Sequence, residues 1–334
     1  MNLDFNFTKL NTKTVRIPSV DSIYDILVLG GGPAGYNAAL YGARKGRKVA
    51  LIAKRAGGQL LNTSYVDNYL GFAEISGEAL SETFRKHLER LDVPILEEAN
   101  IVSIAKENDL FNVRLSDGTF YQAKTVITTL GSNPRKLNIK GEVEFAGKGV
   151  AYCAICDAPL FKDKDVLIAG GGNSAVEAAI DVALFAKSVT LIHRSQLRAD
   201  QILVDKLYEN NKIVVHLETQ ILEIIGEQAM TGVRVQDKKT QEERIISGDG
   251  IFIEIGNIPN TELVKELVTL HENGEVIIDE KGRTDCEGLF ASGDMTHTPY
   301  KQIIIAAADG AKAALAANEY LTTFNGGNPH GKTA

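Results

Sequence analysis

Two glycine-rich segments of one design constrain the fold of this 334-residue chain more than any other feature. Each runs from a short β-branched stretch through a cluster of glycines into an alanine-rich stretch of helical character. The segments are DILVLGGGPAGYNAALYGARKGRKVALIAK and DVLIAGGGNSAVEAAIDVALFAKSVTLIHR. Their first glycines, Gly30 and Gly170, are too far apart in the chain for the repeat of a solenoid. The duplication predicts two nucleotide-binding domains of the same design.

Short apolar runs alternate with helical stretches along the chain, a pattern typical of parallel βαβ units. The predicted strands are residues 24–29, 48–52, 125–129, 165–169, 188–192 and 250–255. The predicted helices are residues 33–45, 175–185 and 301–320. We therefore expect an α/β protein with two Rossmann-like domains of the three-layer ββα type.

The first segment carries the pattern Gly30-x-Gly32-x-x-Gly35 between a strand and a helix, the context that a dinucleotide site requires. The three glycines serve a tight turn, close approach of a pyrophosphate and close helix–strand packing. An acid about 20 residues further on should bind a ribose hydroxyl, yet the second strand ends in Ala53-Lys54-Arg55. The adenosine end of a dinucleotide would therefore not be bound here in the standard mode. The alternative interpretation of the motif is a glycine turn with a purely structural role.

The second segment carries Gly170-x-Gly172-x-x-Ala175, and its second strand ends in His193-Arg194-Ser195 followed by Arg198. The position from which an acid would bind the ribose holds no carboxylate, and two arginines lie at this strand end instead. Because guanidinium groups suit a 2′-phosphate, this end favours NADP over NAD. The alternative is that Arg194 and Arg198 are ordinary surface residues.

The chain has only three cysteines, and Cys153 and Cys156 form one C-x-x-C between the two glycine motifs. Zinc and iron–sulfur sites usually need four ligands, which this chain does not offer, so a redox dithiol is favoured over them and over two inert core cysteines. Asp157 follows directly and is a candidate proton donor, or alternatively a turn residue before Pro159. Cys286 is interpreted as a packing residue. So few cysteines suit a reducing cytosol, and we expect a cytoplasmic protein.

Charge and hydropathy exclude several classes of partner. The formal net charge is −7, which argues against a nucleic-acid or anionic-membrane binder because both need a basic face. No stretch approaches the ~20 apolar residues that a membrane span requires. Residues 1–22 are interpreted as an irregular N-terminal arm and residues 326–334 as a flexible tail.

Between about Tyr24 and Phe324 the chain carries an ordered series of motifs: GGGPAG, GGQLLNT, CAICD, GGGNSAVEAA, HRSQLR, EIGNIPNT, GLFASGD and PYKQIIIAAADG. Through this series the chain resembles the low-molecular-weight thioredoxin reductases. The stretches ADQILVDKL and PYKQIIIA are also similar to the flavoprotein subunit of bacterial alkyl hydroperoxide reductase. The resemblance implies an FAD-dependent thioredoxin-disulfide reductase that works as a homodimer. NADPH would pass a hydride to non-covalently bound FAD, and the electrons would reach the Cys153–Cys156 disulfide and then a thioredoxin-like or glutaredoxin-like protein.

The resemblance also implies roles for individual residues. Cys156 would lie against the flavin, Cys153 would attack the partner disulfide, and Asp157 would donate a proton. The residues implied to contact FAD are Gly30, Gly32, Pro33, Ala34, Gly35, Gly58, Gln59, Leu60, Asn68, Gly131, Gly293, Asp294, Lys301, Gln302 and Ile303. The residues implied to contact NADPH are Gly170, Gly172, Asn173, Ser174, Ala175, Glu177, His193, Arg194, Arg198, Ile255 and Gly256.

The repeats and the resemblance together predict a split FAD-binding domain, residues 23–137 and 257–325. A nicotinamide-binding domain, residues 138–256, would be inserted into it and would carry the C-x-x-C. Three positions depart from the family pattern: Ser195 replaces a second arginine, Ala158 replaces the glycine after the dithiol, and Leu130 changes the turn near the flavin. None of these changes removes a catalytic group.

Three alternatives to a thioredoxin reductase stay open. The first is an NADH-preferring reductase of a peroxidase-linked redoxin, favoured by Ser195 and by the similarity of the C-terminal motifs. The second is a ferredoxin-linked relative without nicotinamide, against which the retained glycines and arginines speak. The third is a flavin-binding sensor without turnover, which the intact dithiol and its adjacent acid disfavour.

Overall fold

The structure, a computed structural model, describes residues 16–63 and 65–324. The predicted tail and most of the predicted N-terminal arm lie outside these residues. The first part of the chain forms strands β1 Ile23–Leu29, β2 Val49–Ile52, β3 Ile95–Leu96, β4 Ile101–Glu107, β5 Leu110–Leu115, β6 Phe120–Thr128 and β7 Ser132–Pro134. Its helices are α1 Pro33–Arg44 and α2 Gly77–Glu89, with a 3₁₀ turn at Gly58–Asn62.

The middle of the chain forms a second set of elements. Its strands are β8 Val150–Ala151, β9 Asp165–Ala169, β10 Ser188–Ile192, β11 Ile213–His216, β12 Thr219–Gly226, β13 Met230–Asp237, β14 Glu243–Ser247, β15 Gly250–Ile253 and β16 Asn257–Pro259. Its helices are α3 Ala154–Asp157, α4 Asn173–Val182 and α5 Gln201–Glu209, with a 3₁₀ turn at Ala158–Phe161. The chain then returns through β17 Leu289–Ala291, a 3₁₀ turn at Gly293–Met295 and the long helix α6 Ile303–Thr323.

The chain divides into two compact units, one of which interrupts the other. Residues 133–258 form the inserted unit, and the described residues on either side of them form the first unit. The two connections, β7 and β16, pair with each other as a two-stranded sheet. The expected α/β fold with one Rossmann-like domain inserted into another is confirmed.

The first unit is built on a sheet in the order β3-β2-β1-β6-β5-β4. Strands β3, β2, β1 and β6 are parallel, β17 pairs parallel with the end of β6, and β4 and β5 add an antiparallel hairpin beside the start of β6. Strand β1 is apolar and buried along most of its length because helices cover one face and the β4–β5 side covers the other. Helix α6 packs closely on α1, and a Cβ at Gly310 would lie 2.0 Å from the Ala34 carbonyl oxygen.

The inserted unit repeats this plan. Its parallel sheet runs β11-β10-β9-β15-β8, and a separate antiparallel sheet, β12-β13-β14, covers one side. One core cluster lies between the parallel sheet and helices α4 and α5, and a second lies between the two sheets. The glycine turn after β9 therefore occupies the same place in this unit as the turn after β1 does in the first.

Most element boundaries differ from the predicted ones by a few residues. Strands β9 and β10 begin and end where the sequence predicts, whereas the strand predicted at 125–129 is only the end of β6. The helix predicted at 175–185 begins at Asn173 and ends at Val182, and the last helix begins at Ile303 rather than residue 301. None of the described helices is both long and apolar enough to cross a lipid bilayer.

Candidate functional site

The turn after β1 shows why its three glycines are needed. Gly30 has φ +119°, and a Cβ there would lie 2.3 Å from the Thr129 carbonyl oxygen. A Cβ at Gly35 would lie 1.9 Å from the Gly30 carbonyl oxygen, so that position holds helix and strand together. At Gly32, in contrast, a Cβ would meet no protein atom within 4 Å. The turn thus leaves an open cradle at the start of α1, as a pyrophosphate group requires.

The turn after β9 has the same construction. Gly170 has φ +153°, and a Cβ there would lie 2.2 Å from the Glu254 carbonyl oxygen, while the space above Gly172 is open. The Asn173 side chain bonds to Asp200, with Nδ2 3.0 Å from the carboxylate and Oδ1 2.9 Å from the Asp200 N–H. These bonds tie the start of α4 to the segment that enters α5. The second cradle also fits a dinucleotide.

The end of β10 presents the predicted 2′-phosphate residues. His193 is buried, at 7% exposure, and its Nε2 lies 3.1 Å from the Ser195 hydroxyl. Burial, and then the charges of Arg198 and Arg194, lower the pKa of His193, so its ring is neutral at pH 7. Both guanidinium groups are exposed, and neither forms a salt bridge within residues 16–63 and 65–324. Two exposed cations beside a neutral ring have the charge that a phosphate dianion requires of its partners.

Several residues assigned to the flavin lie around the start of α6. The Asn68 amide lies 3.3 Å from the Gln302 side-chain oxygen, and Gln302 is the N-cap residue of that helix. Lys301 bonds to the carbonyl oxygens of Thr296 and Thr298 and forms a 2.8 Å ion pair with Glu275. The helix therefore begins in a fixed position, with its first N–H groups not capped by the Gln302 side chain.

The other residues predicted to contact the flavin lie in the same unit. The Gln59 amide donates to the Ser132 carbonyl oxygen at 2.6 Å, while the Leu60 side chain is buried in a small apolar cluster. Gly131 and Gly293 both adopt positive φ, and a Cβ at Gly131 would meet open space. Burial raises the pKa of the Asp294 carboxyl, which the charge of Lys301 partly offsets. A half-buried carboxyl of this kind suits a neutral hydroxyl-bearing chain as its partner.

The two cysteines of the C-x-x-C form a disulfide, with Cα atoms 5.3 Å apart. Cys153 is the N-cap residue of the short helix α3, and its sulfur lies 3.2 Å from the Cys156 backbone nitrogen. Asp157 ends the same turn, and its N–H donates to the Cys153 carbonyl oxygen at 3.1 Å. Cys286 keeps a free thiol and packs against the core of the first unit, as expected for a packing residue.

Two acidic residues outside the C-x-x-C support this turn. Glu142, only 1% exposed, accepts hydrogen bonds from the Tyr152 hydroxyl at 3.1 Å and from the Asn138 N–H at 2.6 Å. Glu254 accepts a 2.9 Å hydrogen bond from the Ala154 N–H, inside the C-x-x-C itself. Burial raises the pKa of Glu254 to about 7, although that hydrogen bond acts in the opposite direction. Comparison of the two repeats could have identified Glu254, because it follows β15 as Thr129 follows β6.

Comparison with known proteins agrees with this arrangement. The sequence profile of the pyridine nucleotide-disulphide oxidoreductases matches residues 24–310. The F subunit of alkyl hydroperoxide reductase in Pseudomonas putida is 45% identical over 302 residues, which cover 89% of this chain and 58% of that protein. The Staphylococcus aureus protein of the same name is 42% identical over 299 residues, 89% of this chain and 59% of its own length. The chain thus spans about three fifths of these curated relatives.

Solved structures give a second line of similarity. Thioredoxin reductase from Streptococcus pyogenes is 39% identical with a TM-score of 0.85, and the match covers 90% of this chain and 99% of that one. Thioredoxin reductase from Giardia duodenalis is 29% identical with a TM-score of 0.83 and the same coverage of both chains. Two glycine cradles, a disulfide turn and these similarities lead to one conclusion. The chain belongs to the pyridine nucleotide-disulphide oxidoreductase family.

Proposed function

We propose that this protein is an NADPH-dependent, FAD-containing reductase of a thioredoxin-like protein disulfide. The observation that carries the proposal is the Cys153–Cys156 disulfide in a chain with two open glycine cradles. In the proposal FAD occupies the cradle of the first unit and NADPH that of the inserted unit. A flavin bound there supplies two-electron chemistry between a nicotinamide and a disulfide.

The protein's own residues account for the later steps. Once the disulfide is reduced, the Cys153 thiolate attacks one sulfur of the partner disulfide, forming a mixed disulfide and releasing the other partner sulfur as a thiolate. That thiolate takes up a proton, for which Asp157 is the proposed donor. The Cys156 thiolate then attacks the Cys153 sulfur, restoring the internal disulfide and releasing the second partner sulfur as a thiolate, which takes its proton from solvent. The net change is two electrons and two protons delivered to the partner.

Turnover with a thioredoxin tests the route through the dithiol. Cys153→Ser and Cys156→Ser should each abolish NADPH-driven reduction of thioredoxin, because neither variant can form the disulfide. Cys286→Ser is the matched control, since Cys286 has a free thiol and lies in the other unit. The measurement is NADPH oxidation, followed by its near-ultraviolet absorbance, with purified holoenzyme. Turnover that survives in Cys153→Ser would exclude the proposed route.

The choice of NADPH rests on the arginines at the end of β10. Arg198→Ala should lower kcat/KM for NADPH about ten- to a hundredfold, since a charge-assisted bond to a phosphate is worth about 1.5–3 kcal/mol. The same variant should leave kcat/KM for NADH nearly unchanged. Lys239→Ala, a cation in the exposed turn between β13 and β14, is the control for a general charge effect. Equal losses for both nucleotides would remove the 2′-phosphate role.

A peroxidase-linked redoxin is a second candidate partner. Its support is the 45% identity to a protein named as the F subunit of alkyl hydroperoxide reductase. Parallel assays with a thioredoxin and with the redoxin domain of such a system would separate the two, because the better substrate has the higher kcat/KM. Homodimer formation and a cytoplasmic location remain predictions, and sedimentation of the holoenzyme measures the first of them.

A further inference from the structure

The half-buried carboxyl of Glu254 lies outside both glycine-rich turns and contacts the turn Cys153–Asp157 that carries the disulfide. Its Oε1 accepts a 2.9 Å hydrogen bond from the Ala154 N–H, the first backbone donor after Cys153. Further along the turn, the Cys156 N–H lies 3.2 Å from the Cys153 sulfur. The turn therefore divides its donors between a sulfur atom and a carboxylate.

Glu254 is held rigidly enough for this contact to be specific. Its N–H donates to the Ala169 carbonyl oxygen at 2.8 Å, and its own carbonyl oxygen lies against Gly170. The side chain thus leaves the edge of the glycine turn and ends at the C-x-x-C, within one unit. The titratable or charged groups on the neighbouring segments are Cys153, Cys156 and Asp157 on the turn, His193 beside Gly171, and Arg135 beside Gly256.

We propose that Glu254 is a positioning residue of the dithiol, which fixes the turn through the Ala154 N–H and whose charge sets how readily Cys153 ionises after reduction. An ionised Glu254 holds the Ala154 N–H, a donor that the Cys153 sulfur could otherwise share. Its charge also repels a thiolate at Cys153, the residue before Ala154. Loss of that charge favours the thiolate. The pKa of about 7 places this change within the physiological range. The reactivity of the reduced enzyme therefore depends on two coupled ionisations rather than one.

Alkylation of the reduced holoenzyme tests the proposal without any partner protein. The rate of Cys153 modification by iodoacetamide is followed from mildly acidic to mildly alkaline pH by peptide mass spectrometry. The wild-type profile should depart from a single ionisation, with an inflection near the Glu254 pKa of about 7. Glu254→Gln keeps an acceptor for the Ala154 N–H but removes the charge. We expect it to follow a single ionisation curve, with a rate at about pH 8, where the wild-type carboxyl is charged, roughly three- to tenfold above that of the wild type.

Two further variants complete the design. Glu254→Asp keeps the charge, so its profile should retain two ionisations, while Glu227→Gln changes an exposed glutamate of the same unit and should match the wild type. Flavin absorbance and the thermal midpoint report whether each variant is folded. A wild-type profile with one ionisation would overturn the proposal, even if Glu254→Gln fails to fold. So would a Glu254→Gln profile that coincides with the wild type. Since thioredoxin is absent, failure of the proposed partner would not affect this result.

Discussion

The two glycine turns have the same backbone but use the residue after the neighbouring strand differently. Thr129 follows β6 and Glu254 follows β15, and their N–H groups donate to the last residues of β1 and β9 at 2.7 and 2.8 Å. In the first unit the Thr129 hydroxyl lies 3.0 Å from the Gly30 carbonyl oxygen and stabilises its own turn. In the inserted unit the longer Glu254 side chain reaches the disulfide turn instead. One side chain at a shared position thus distinguishes a copy whose turn is bonded only to itself from a copy whose turn contacts the disulfide segment.

The largest expected effect tests the close packing that the first copy requires. Gly35→Ala would place a Cβ 1.9 Å from the Gly30 carbonyl oxygen and 2.7 Å from the Thr129 hydroxyl, so the backbone must shift. We expect a loss of about 3 kcal/mol in the free energy of unfolding and loss of bound flavin. Flavin absorbance and chemical denaturation measure both. Gly32→Ala adds a Cβ that meets no protein atom, so it should keep the stability of the apoprotein yet weaken flavin binding. Equal stability of the Gly32→Ala and Gly35→Ala apoproteins would contradict the packing argument.

The next effect is specific to the second copy and depends on pH. The folded-state pKa of Glu254 is about 7, above the ordinary value of 4.5, so between these values the folded protein binds a proton that the unfolded chain has lost. The wild type should therefore lose stability as pH rises from about 4.5 to about 7, by up to about 3 kcal/mol. Glu254→Gln should lack this loss. Urea unfolding at about pH 5 and about pH 7.5 measures the free energy of unfolding at each pH. The same change between the two pH values in wild type and variant would refute the prediction.

The smallest effect concerns the third glycine position of the second copy. Ala175 already occupies that position and is fully buried, so this copy accommodates a methyl group where position 35 leaves no room for one. Ala175→Gly should cost only about 1 kcal/mol, through lost helix propensity and a lost methyl contact. Thermal unfolding measures this change, and NADPH affinity should stay within a factor of about two. A loss as large as that of Gly35→Ala would mean that the two copies are packed alike.

The sequence alone predicts the parts of this fold that have strong local signals. Continuous apolar runs before glycine turns identify β1 and β9, since no other short pattern combines a buried strand with a positive-φ turn. The antiparallel strands β12, β13 and β14 escape prediction because they alternate with polar residues and pair with each other rather than with the parallel sheet. Glu142 escapes for another reason: its burial and its contact with Tyr152, the residue before Cys153, are created only by tertiary packing.

The pairing of β7 with β16 has a consequence for the order of folding. The Arg135 N–H donates to the Gly256 carbonyl oxygen on one side of the junction, and the Asn260 N–H to the Gly131 carbonyl oxygen on the other, both at 2.9 Å. An unstructured insertion of ~125 residues would impose a loop-closure entropy of about 4 kcal/mol on the first unit. An inserted unit that folds first holds its two ends together and removes that cost. The first unit can then complete its sheet, adding β17 to β6, as though the chain between residues 132 and 259 were a tight turn.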